Sequence, residues 1–173
     1  MRKWIVVLSS CAMLAGGSFT IFAQQKSRDV SPKAMTAAAK RGQYLVKIAG
    51  CNDCHTAGYI NTAGKIPEKD WLLGDTMGWR GPWGTTYAPN LRLVAENMTE
   101  AQFVARARSE LRPPMPWFGV REMADADVKA IYAYLKHAGP AGRNAPAYLP
   151  PDKAPPLPYF ELHLPPSPQG KGG

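Results

Sequence analysis

Three stretches of the chain carry apolar side chains at helical spacing, and the first covers residues 34–49. Tyr44, Leu45 and Ile48 recur at that spacing in an alanine-rich segment without proline, which predicts an amphipathic helix. Gly42 lies inside this segment, where glycine weakens a helix. We therefore expect the helix to pack closely against another element at Gly42.

Two further helices are predicted in the second half of the chain. One begins at Thr99, where the letters TEAQ have the form of a capping box with Gln102, and it runs to about Leu111 before two prolines. The other covers about Ala124–His137 and is ended by a Gly-Pro pair. Its apolar stripe consists of Val128, Ile131, Tyr132 and Leu135.

The remaining segments have no helical period. Between residues 56 and 98 glycine, proline, asparagine and tryptophan are frequent, so a loop-dominated stretch is predicted. Residues 139–173 hold ten prolines and are predicted to form an extended tail, which lies along the domain or meets a partner. Its apolar side chains are Tyr148, Leu149, Leu157, Tyr159, Phe160 and Leu162.

The beginning of the chain has a charged start, an apolar centre and a stretch of small residues, which is typical of a secretory signal peptide. We predict that residues 1–23 are this signal, although Ile21 stands where a small residue is preferred. An uncleaved membrane anchor and a lipoprotein with its lipid on Cys11 remain alternatives. Each implies export, and we expect a periplasmic bacterial protein that meets the membrane only if this segment stays uncleaved.

These patterns predict an all-α domain over residues 36–138, with about three main helices and long loops, after a lead at 24–35. The whole chain has a formal net charge of +8, and loss of residues 1–23 leaves nineteen basic and thirteen acidic side chains. A basic surface attracts acidic partners, anionic lipids or nucleic acid. No nucleic-acid motif accompanies it, so we expect acidic protein partners and no nucleic acid, with an ordinary solvated face as the alternative.

The cysteines give the clearest indication of chemistry. Beyond the signal only Cys51 and Cys54 occur, and His55 follows them in GCNDCHTAG. Cys-x-x-Cys-His is the attachment pattern of c-type haem. Two thiols on one tight helical turn can meet the two vinyl groups of a porphyrin, and the next residue then directs its imidazole towards the iron. We predict one covalent haem c on Cys51 and Cys54, with His55 as its proximal ligand.

Other uses of the cysteine pair agree less well with the sequence. A thioredoxin-like redox pair belongs in a strand–helix context, which is missing. Zinc would need further ligands, for which His137 and His163 remain. A plain disulfide, which an exported protein can form, leaves His55 without a role.

Haem iron of this kind usually takes a sixth ligand, and methionine together with histidine raises the reduction potential. Met115 lies in the segment RPPMPWFGV, sixty residues after His55, in a loop whose prolines restrict the backbone. We predict Met115 as the distal ligand, because a weak thioether ligand must be held in place. Two kinds of alternative remain. In one, Met115 only fills the core, as methionine often does, and in the other the ligand is Met77 or His163. Five methionines follow the signal: Met35, Met77, Met98, Met115 and Met123.

Five motifs occur in order over most of residues 41–138: RGQYL, AGCNDCHTAG, PWGTTYAPNL, MPW and MADADVKAIYAYLK. In them the chain resembles the class I cytochromes c, most closely the single-haem units of bacterial alcohol and sugar-acid dehydrogenase cytochrome subunits. The resemblance implies three helices around one haem, with His55 and Met115 as axial ligands. It also implies that Pro67 offers its carbonyl to the imidazole nitrogen not on iron. The implied haem surroundings in the loop 79–90 are Trp79, Arg80, Trp83, Tyr87 and Asn90.

The chain departs from this family at the edge of the haem cleft, where Arg92 stands in place of a frequent threonine and LVAEN replaces a glycine-rich segment. Related subunits often carry three haem motifs, whereas this chain has one. We predict an electron carrier and not an enzyme, which exchanges single electrons with redox protein partners. A fixed cytochrome subunit of a dehydrogenase or oxidase complex is one alternative. A haem enzyme or gas sensor with an open axial site is the other.

Overall fold

A computed structural model of the chain describes residues 34–163. The predicted signal peptide, residues 24–33 of the lead and residues 164–173 of the tail lie outside the described residues. In the described part the helices and strands are α1 (Ala37–Ile48), α2 (Cys51–His55), β1 (Gly78–Gly81), β2 (Gly84–Tyr87), α3 (Leu91–Glu96), α4 (Glu100–Arg108), α5 (Trp117–Arg121), α6 (Asp125–Ala138) and β3 (Tyr159–Glu161). A 3-10 turn covers Glu68–Asp70. None of the helices in this range is long and apolar enough to cross a membrane.

The close packing expected at Gly42 is confirmed. Helices α1 and α6 cross there, and a Cβ on Gly42 would overlap the carbonyl of Ala130 and lie only 2.8 Å from the Cβ of Tyr134. The two helices supply most of the core. The apolar face predicted for α1 is only partly correct, since Leu45 is buried but Tyr44 and Ile48 are exposed, and Ala39 and Val46 pack inward instead. The largest buried apolar side chains of the core are Leu45, Val46, Trp71, Leu72, Ile131, Tyr134 and Leu135.

Helix α4 begins with the predicted capping box. The amide of Gln102 donates to the hydroxyl of Thr99, and the Gln102 side chain accepts a bond from the Thr99 amide. The helix ends at Arg108, before the predicted end near Leu111, since Ser109 has extended backbone angles. The Arg108 guanidinium then donates to the carbonyls of three residues that precede α6: Val120, Arg121 and Met123.

The three main helices predicted from the sequence are present as α1, α4 and α6, but the all-α description needs an addition, because the described residues also contain three shorter helices and three strands. The described part contains six helices, and strands β1, β2 and β3 form a small sheet in the order β2-β1-β3. Strands β1 and β2 are an antiparallel hairpin inside the stretch predicted as loop. Each has four residues and glycine at its start, so no alternation marks it in the sequence. Helix α3 is also too short to show a helical period.

The proline-rich tail lies along the domain over the residues that the structure describes. Strand β3 pairs in parallel with β1, which places residues of the tail against the hairpin. Nearer its start, Leu149 exchanges two backbone hydrogen bonds with Thr85, of 2.8 and 3.0 Å. These bonds satisfy backbone groups that a tail without a core of its own would otherwise leave to water.

Candidate haem site

A cavity of about 860 Å³ brings together the residues of the predicted haem site. Cys51, Cys54, His55 and Met115 all line it, together with parts of α4, α6, the hairpin and the tail. Its size falls within the roughly 300–1,000 Å³ that is usual for ligand and cofactor sites. A short helical turn and a loop sixty residues away therefore share one cavity.

Helix α2 positions the two thiols. It begins after Gly50, whose φ of +68° is a left-handed conformation that favours glycine. Cys51 and Cys54 are then three residues apart on one turn, and neither forms a disulfide. The turn is locked to the core through Thr56, whose hydroxyl donates to Asn52 Oδ1 at 2.7 Å and accepts from the Leu72 amide at 2.8 Å.

The imidazole of His55 is held in one tautomer. Its ring is buried, and Nδ1 lies 2.8 Å from the carbonyl oxygen of Pro89. A carbonyl only accepts, so Nδ1 carries the hydrogen and Nε2 keeps its lone pair. Burial lowers the pKa of His55, and the charge of Arg106 lowers it further, although the bond to Pro89 opposes them. A neutral imidazole with a free Nε2 is the form that binds a metal ion.

The carbonyl that contacts His55 belongs to Pro89 and not to Pro67, which corrects the expectation from family resemblance. The Pro67 carbonyl accepts from the amide of Asp70 at 2.9 Å and so closes the 3-10 turn. Pro89 reaches the ring because Gly74 and Asp75 join the two segments through backbone bonds to His55 and Ala88. The sequence did contain an indication of this contact. Pro89 directly precedes Asn90 in the motif PWGTTYAPNL, which the resemblance already places at the haem.

The surroundings of Cys51 and Cys54 favour the protonated thiol over the thiolate. Burial raises the pKa of Cys51 to about 11 and raises that of Cys54 as well. Such thiols stay protonated near neutral pH, whereas redox and metal-binding cysteines require thiolates. Within residues 34–163 no three side chains of the histidine, cysteine or acidic type come together as a metal site.

Two methionines of the described part line the cavity, Met115 and Met123. Met123 also packs against the core and directly precedes Ala124, the N-cap of α6. Met115 is half-buried between Pro114 and Pro116 in the loop before α5. Met77 is outside the cavity wall, and its amide donates to the Asp75 carboxylate.

The predicted haem surroundings divide into residues that line the cavity and residues that do not. Trp79 and Tyr87 line it, and the Tyr87 hydroxyl is buried without a hydrogen-bond partner among the described residues. The hydroxyl of Thr86, another residue of the wall, is buried and unpaired in the same way. A buried hydroxyl without a partner is costly, so these groups fit a bound molecule with hydrogen-bonding oxygens.

Three other predicted residues have different roles. Trp83 does not line the cavity, and its ring occupies the space where Gly81 would carry a Cβ. Arg80 donates to the tail carbonyls of Pro151 and Lys153. Asn90 caps α3 by accepting from the Leu93 amide, and its Nδ2 donates to two more tail carbonyls, those of Ala141 and Arg143.

Several residues of the wall were missed by sequence reasoning. Arg106 on α4, Arg112 before Met115, and Pro146 and Tyr148 of the tail all line the cavity. No motif marks the tail residues; the only signal was the apolar character of Tyr148. Arg92 is buried but lies outside the wall, where it donates to the carbonyls of Lys69, Ala138 and Gly139. Arg92 is therefore not itself part of the cavity wall.

Two thiols on one helical turn, a buried neutral imidazole and a cofactor-sized cavity with unpaired hydroxyls define the attachment site of a c-type haem. The family model described as cytochrome c matches residues 39–139, and the chain belongs to this family. Cytochromes c are electron-transfer proteins that work through a bound haem. Haem c is the covalently bound cofactor of this chain, and Cys51, Cys54 and His55 form the attachment motif.

The curated proteins similar to this chain include cytochrome subunits of dehydrogenases. The chain is 27% identical over 135 residues to the fructose dehydrogenase cytochrome subunit of Gluconobacter japonicus, which covers 74% of this chain and 26% of that protein. It is 29% identical over 112 residues to the cytochrome c subunit of alcohol dehydrogenase (quinone) of Gluconobacter oxydans, which covers 58% of this chain and 21% of that protein. With the gluconate 2-dehydrogenase cytochrome c subunit of Pantoea cypripedii the identity is 28% over 149 residues, with 79% and 29% covered.

The chain thus spans less than a third of the length of these relatives. No solved structure matches it significantly.

Proposed function

We propose that this chain is an exported, periplasmic cytochrome c with one haem, ligated by His55 and Met115, that carries single electrons between redox protein partners. The observation that carries this proposal is that both side chains line one cavity, sixty residues apart in sequence. When bound, haem c supplies an iron that changes between the ferrous and ferric states. We propose residues 36–138 as the haem domain, residues 1–23 as the signal peptide and 139–173 as the tail.

The roles of the site residues follow from their chemistry. Cys51 and Cys54 hold the cofactor through thioether bonds, and His55 offers Nε2 to the iron. The bond from His55 to Pro89 fixes the ring orientation and increases the basicity of the ligand. Met115 would be the second protein ligand of the iron and would keep water from it. A site with the same two ligands in both oxidation states needs little rearrangement when an electron arrives or leaves.

Tyr87, Thr86 and Trp79 are proposed as the haem surroundings. The unpaired hydroxyls of Tyr87 and Thr86 favour the propionate carboxylates as their partners. Arg106 lines the same cavity and carries the positive charge that a carboxylate prefers.

The partners are proposed to be redox proteins with acidic docking surfaces. The excess of basic side chains after loss of residues 1–23, nineteen against thirteen acidic ones, supports this proposal, and so do the exposed side chains of Lys47, Lys65 and Lys69. Encounters of this kind use small interfaces and are weakened by salt.

A fixed cytochrome subunit of a dehydrogenase complex is the second candidate, because the relatives are named as subunits of dehydrogenases. Purification of the tagged chain from its host at low and at high salt distinguishes a carrier from a fixed subunit. A carrier loses its partner at high salt, because surface charges are screened. A fixed subunit keeps a dehydrogenase bound in both conditions.

The ligand assignment is tested by the optical spectrum of the ferric protein. Sulfur-to-iron coordination gives a weak red absorption band, which we expect in the wild-type protein and not in Met115→Ala. Met123→Ala is the matched control, since Met123 lines the same cavity but packs on the core. Loss of the band in Met123→Ala, with the band retained in Met115→Ala, contradicts the assignment. Ready binding of carbon monoxide to the ferrous wild type supports a sensor or enzyme instead.

A further inference from the structure

We propose that Arg112 and Tyr148 act as positioning residues for the methionine ligand, by fastening the Met115 loop to the tail. The guanidinium of Arg112 lies over the Tyr148 ring, 4.2 Å from its centroid. We call this pair the Arg112–Tyr148 clasp. The proposal rests on the function proposed above, in which Met115 is an axial ligand.

The clasp lies at the cavity itself. Arg112, Met115 and Tyr148 all line its wall, although Tyr148 is more than thirty residues beyond the loop. A guanidinium over the face of a tyrosine ring is attracted by the negative charge of that face. The tail thereby closes part of the cavity and also contacts the loop that carries the proposed ligand.

Tyr148 is a firm point of attachment. Its hydroxyl donates to the carbonyl of Trp83 at 2.7 Å, and the next residue, Leu149, exchanges two backbone bonds with Thr85. Gly84 makes this approach possible, because a Cβ there would overlap the Leu149 carbonyl. The ring of Tyr148 is therefore held against the β1–β2 hairpin.

The tail is also anchored on both sides of Tyr148. Before it, Asn90 donates to the carbonyls of Ala141 and Arg143, at 2.8 and 3.2 Å. After it, Arg80 donates to the carbonyls of Pro151 and Lys153, at 3.3 and 2.8 Å. Asn90 and Arg80 both come from the segment predicted to surround the haem, and both are used to hold the tail.

The Met115 loop has little support of its own. Residues 109–116 contain no helix or strand. The backbone bonds of Met115 are local, since its amide donates to Arg112 and its carbonyl accepts from Trp117. A thioether is a weak ligand, so its retention depends on how firmly this loop is held. The clasp joins the loop to an anchored segment and thus favours the ligated position.

The test uses the haem-loaded full chain with Arg112→Gln or Tyr148→Leu. Imidazole is added to the ferric protein, and its binding rate is measured together with the pH at which the red band disappears. We expect imidazole to bind about three- to tenfold faster in either variant, because the methionine leaves more often. The band should disappear at a lower pH than in the wild type. The double variant should behave like the single ones, since both remove the same contact.

Matched variants distinguish the clasp from general effects. Arg121→Gln removes another arginine that lies over an aromatic ring, that of Trp117. Both residues belong to helix α5, and neither lines the cavity. Tyr44→Leu removes an exposed tyrosine of α1. Both should keep the wild-type imidazole rate. Tyr148→Phe keeps the ring and should stay nearer the wild type than Tyr148→Leu.

The clasp proposal is overturned if Arg112→Gln and Tyr148→Leu bind imidazole at the wild-type rate and keep the wild-type pH. It is also overturned if Arg121→Gln has the same effect as Arg112→Gln, because lost charge then explains the change. If Tyr148→Leu yields no haem protein, Arg112→Gln decides alone, since Arg112 is exposed. Persistence of the red band in Met115→Ala is a different result, which refutes the ligand assignment and not only the clasp.

Discussion

The Nδ1 atom of His55 donates a hydrogen bond of 2.8 Å to the carbonyl oxygen of Pro89, which is 34 residues further along the chain. Gly74 makes this contact possible. Its amide donates to the His55 carbonyl at 2.8 Å, and its α-carbon faces the backbone that surrounds Pro89. A Cβ at Gly74 would lie 2.7 Å from the Asn90 amide nitrogen and 2.9 Å from the Ala88 carbonyl.

Gly74→Ala should therefore raise the reduction potential. The added methyl group pushes the segment around Pro89 away from the ring, and a weaker bond at Nδ1 makes His55 a less basic ligand. The φ of +80° at Gly74 adds a backbone cost of about 1–2 kcal/mol in the free energy of unfolding. Potentiometric titration and denaturant unfolding of the haem protein measure the two effects.

Gly58→Ala is the control for this change. Gly58 has a similar φ of +73°, but its nearest neighbour is the Ile66 side chain, at 3.9 Å from the added Cβ. It should lose similar stability and keep the wild-type potential. Equal potentials in Gly74→Ala and Gly58→Ala would argue against a role for Pro89 in tuning His55.

Gly42→Ala should destabilise the crossing of α1 and α6. The added Cβ overlaps the Ala130 carbonyl, and the helices must separate, for which overpacking typically costs about 1–3 kcal/mol. Gly119→Ala is the matched substitution, since Gly119 lies in α5 with no atom within 4 Å of an added Cβ. It should be neutral or slightly stabilising. Chemical unfolding of both variants gives the comparison, and an equal loss in both would contradict close packing at Gly42.

Arg92→Met should lower stability without affecting the haem site. Arg92 is buried and donates to three backbone carbonyls, two of them at the end of α6, and their loss should cost about 1.5–3 kcal/mol. The red band and the reduction potential should match the wild type, because Arg92 does not line the cavity. Lys136→Met removes an exposed ion pair with Glu96 and should cause a much smaller loss. A shifted potential in Arg92→Met would place Arg92 at the haem edge after all.

Thr99→Ala should weaken helix α4, which carries Phe103, Arg106 and Ala107 to the cavity wall. Without the hydroxyl the Gln102 amide loses its hydrogen-bond acceptor, and we expect the free energy of unfolding to fall by about 1 kcal/mol. Thr99→Ser keeps the hydroxyl and should recover most of this stability. The melting temperatures of the two variants provide the measurement; identical values would show that the capping box contributes nothing.

Features that depend on neighbouring residues could be read from the chain before its fold was known. The motif Cys51–His55 needs only one helical turn, so its spacing alone indicated haem attachment. The capping box at Thr99 and the stripe of α6 are likewise local. The capping box was confirmed, and three of the four stripe residues are buried, whereas Tyr132 is partly buried. Gly42 was recognisable because a glycine inside a good helical segment requires a packing reason.

The contacts that complete the site join distant parts of the chain, and no local pattern encodes them. Which carbonyl bonds His55 depends on how the segment around Pro89 packs on Gly74, which a spacing rule cannot decide. The tail adds β3 to the β1–β2 hairpin from some eighty residues away, and neither β1 nor β3 is long enough to be marked by alternation. Arg80 and Asn90 were expected near the haem and instead hold the tail, because each side chain bonds to the carbonyls that the folded chain brings within its reach.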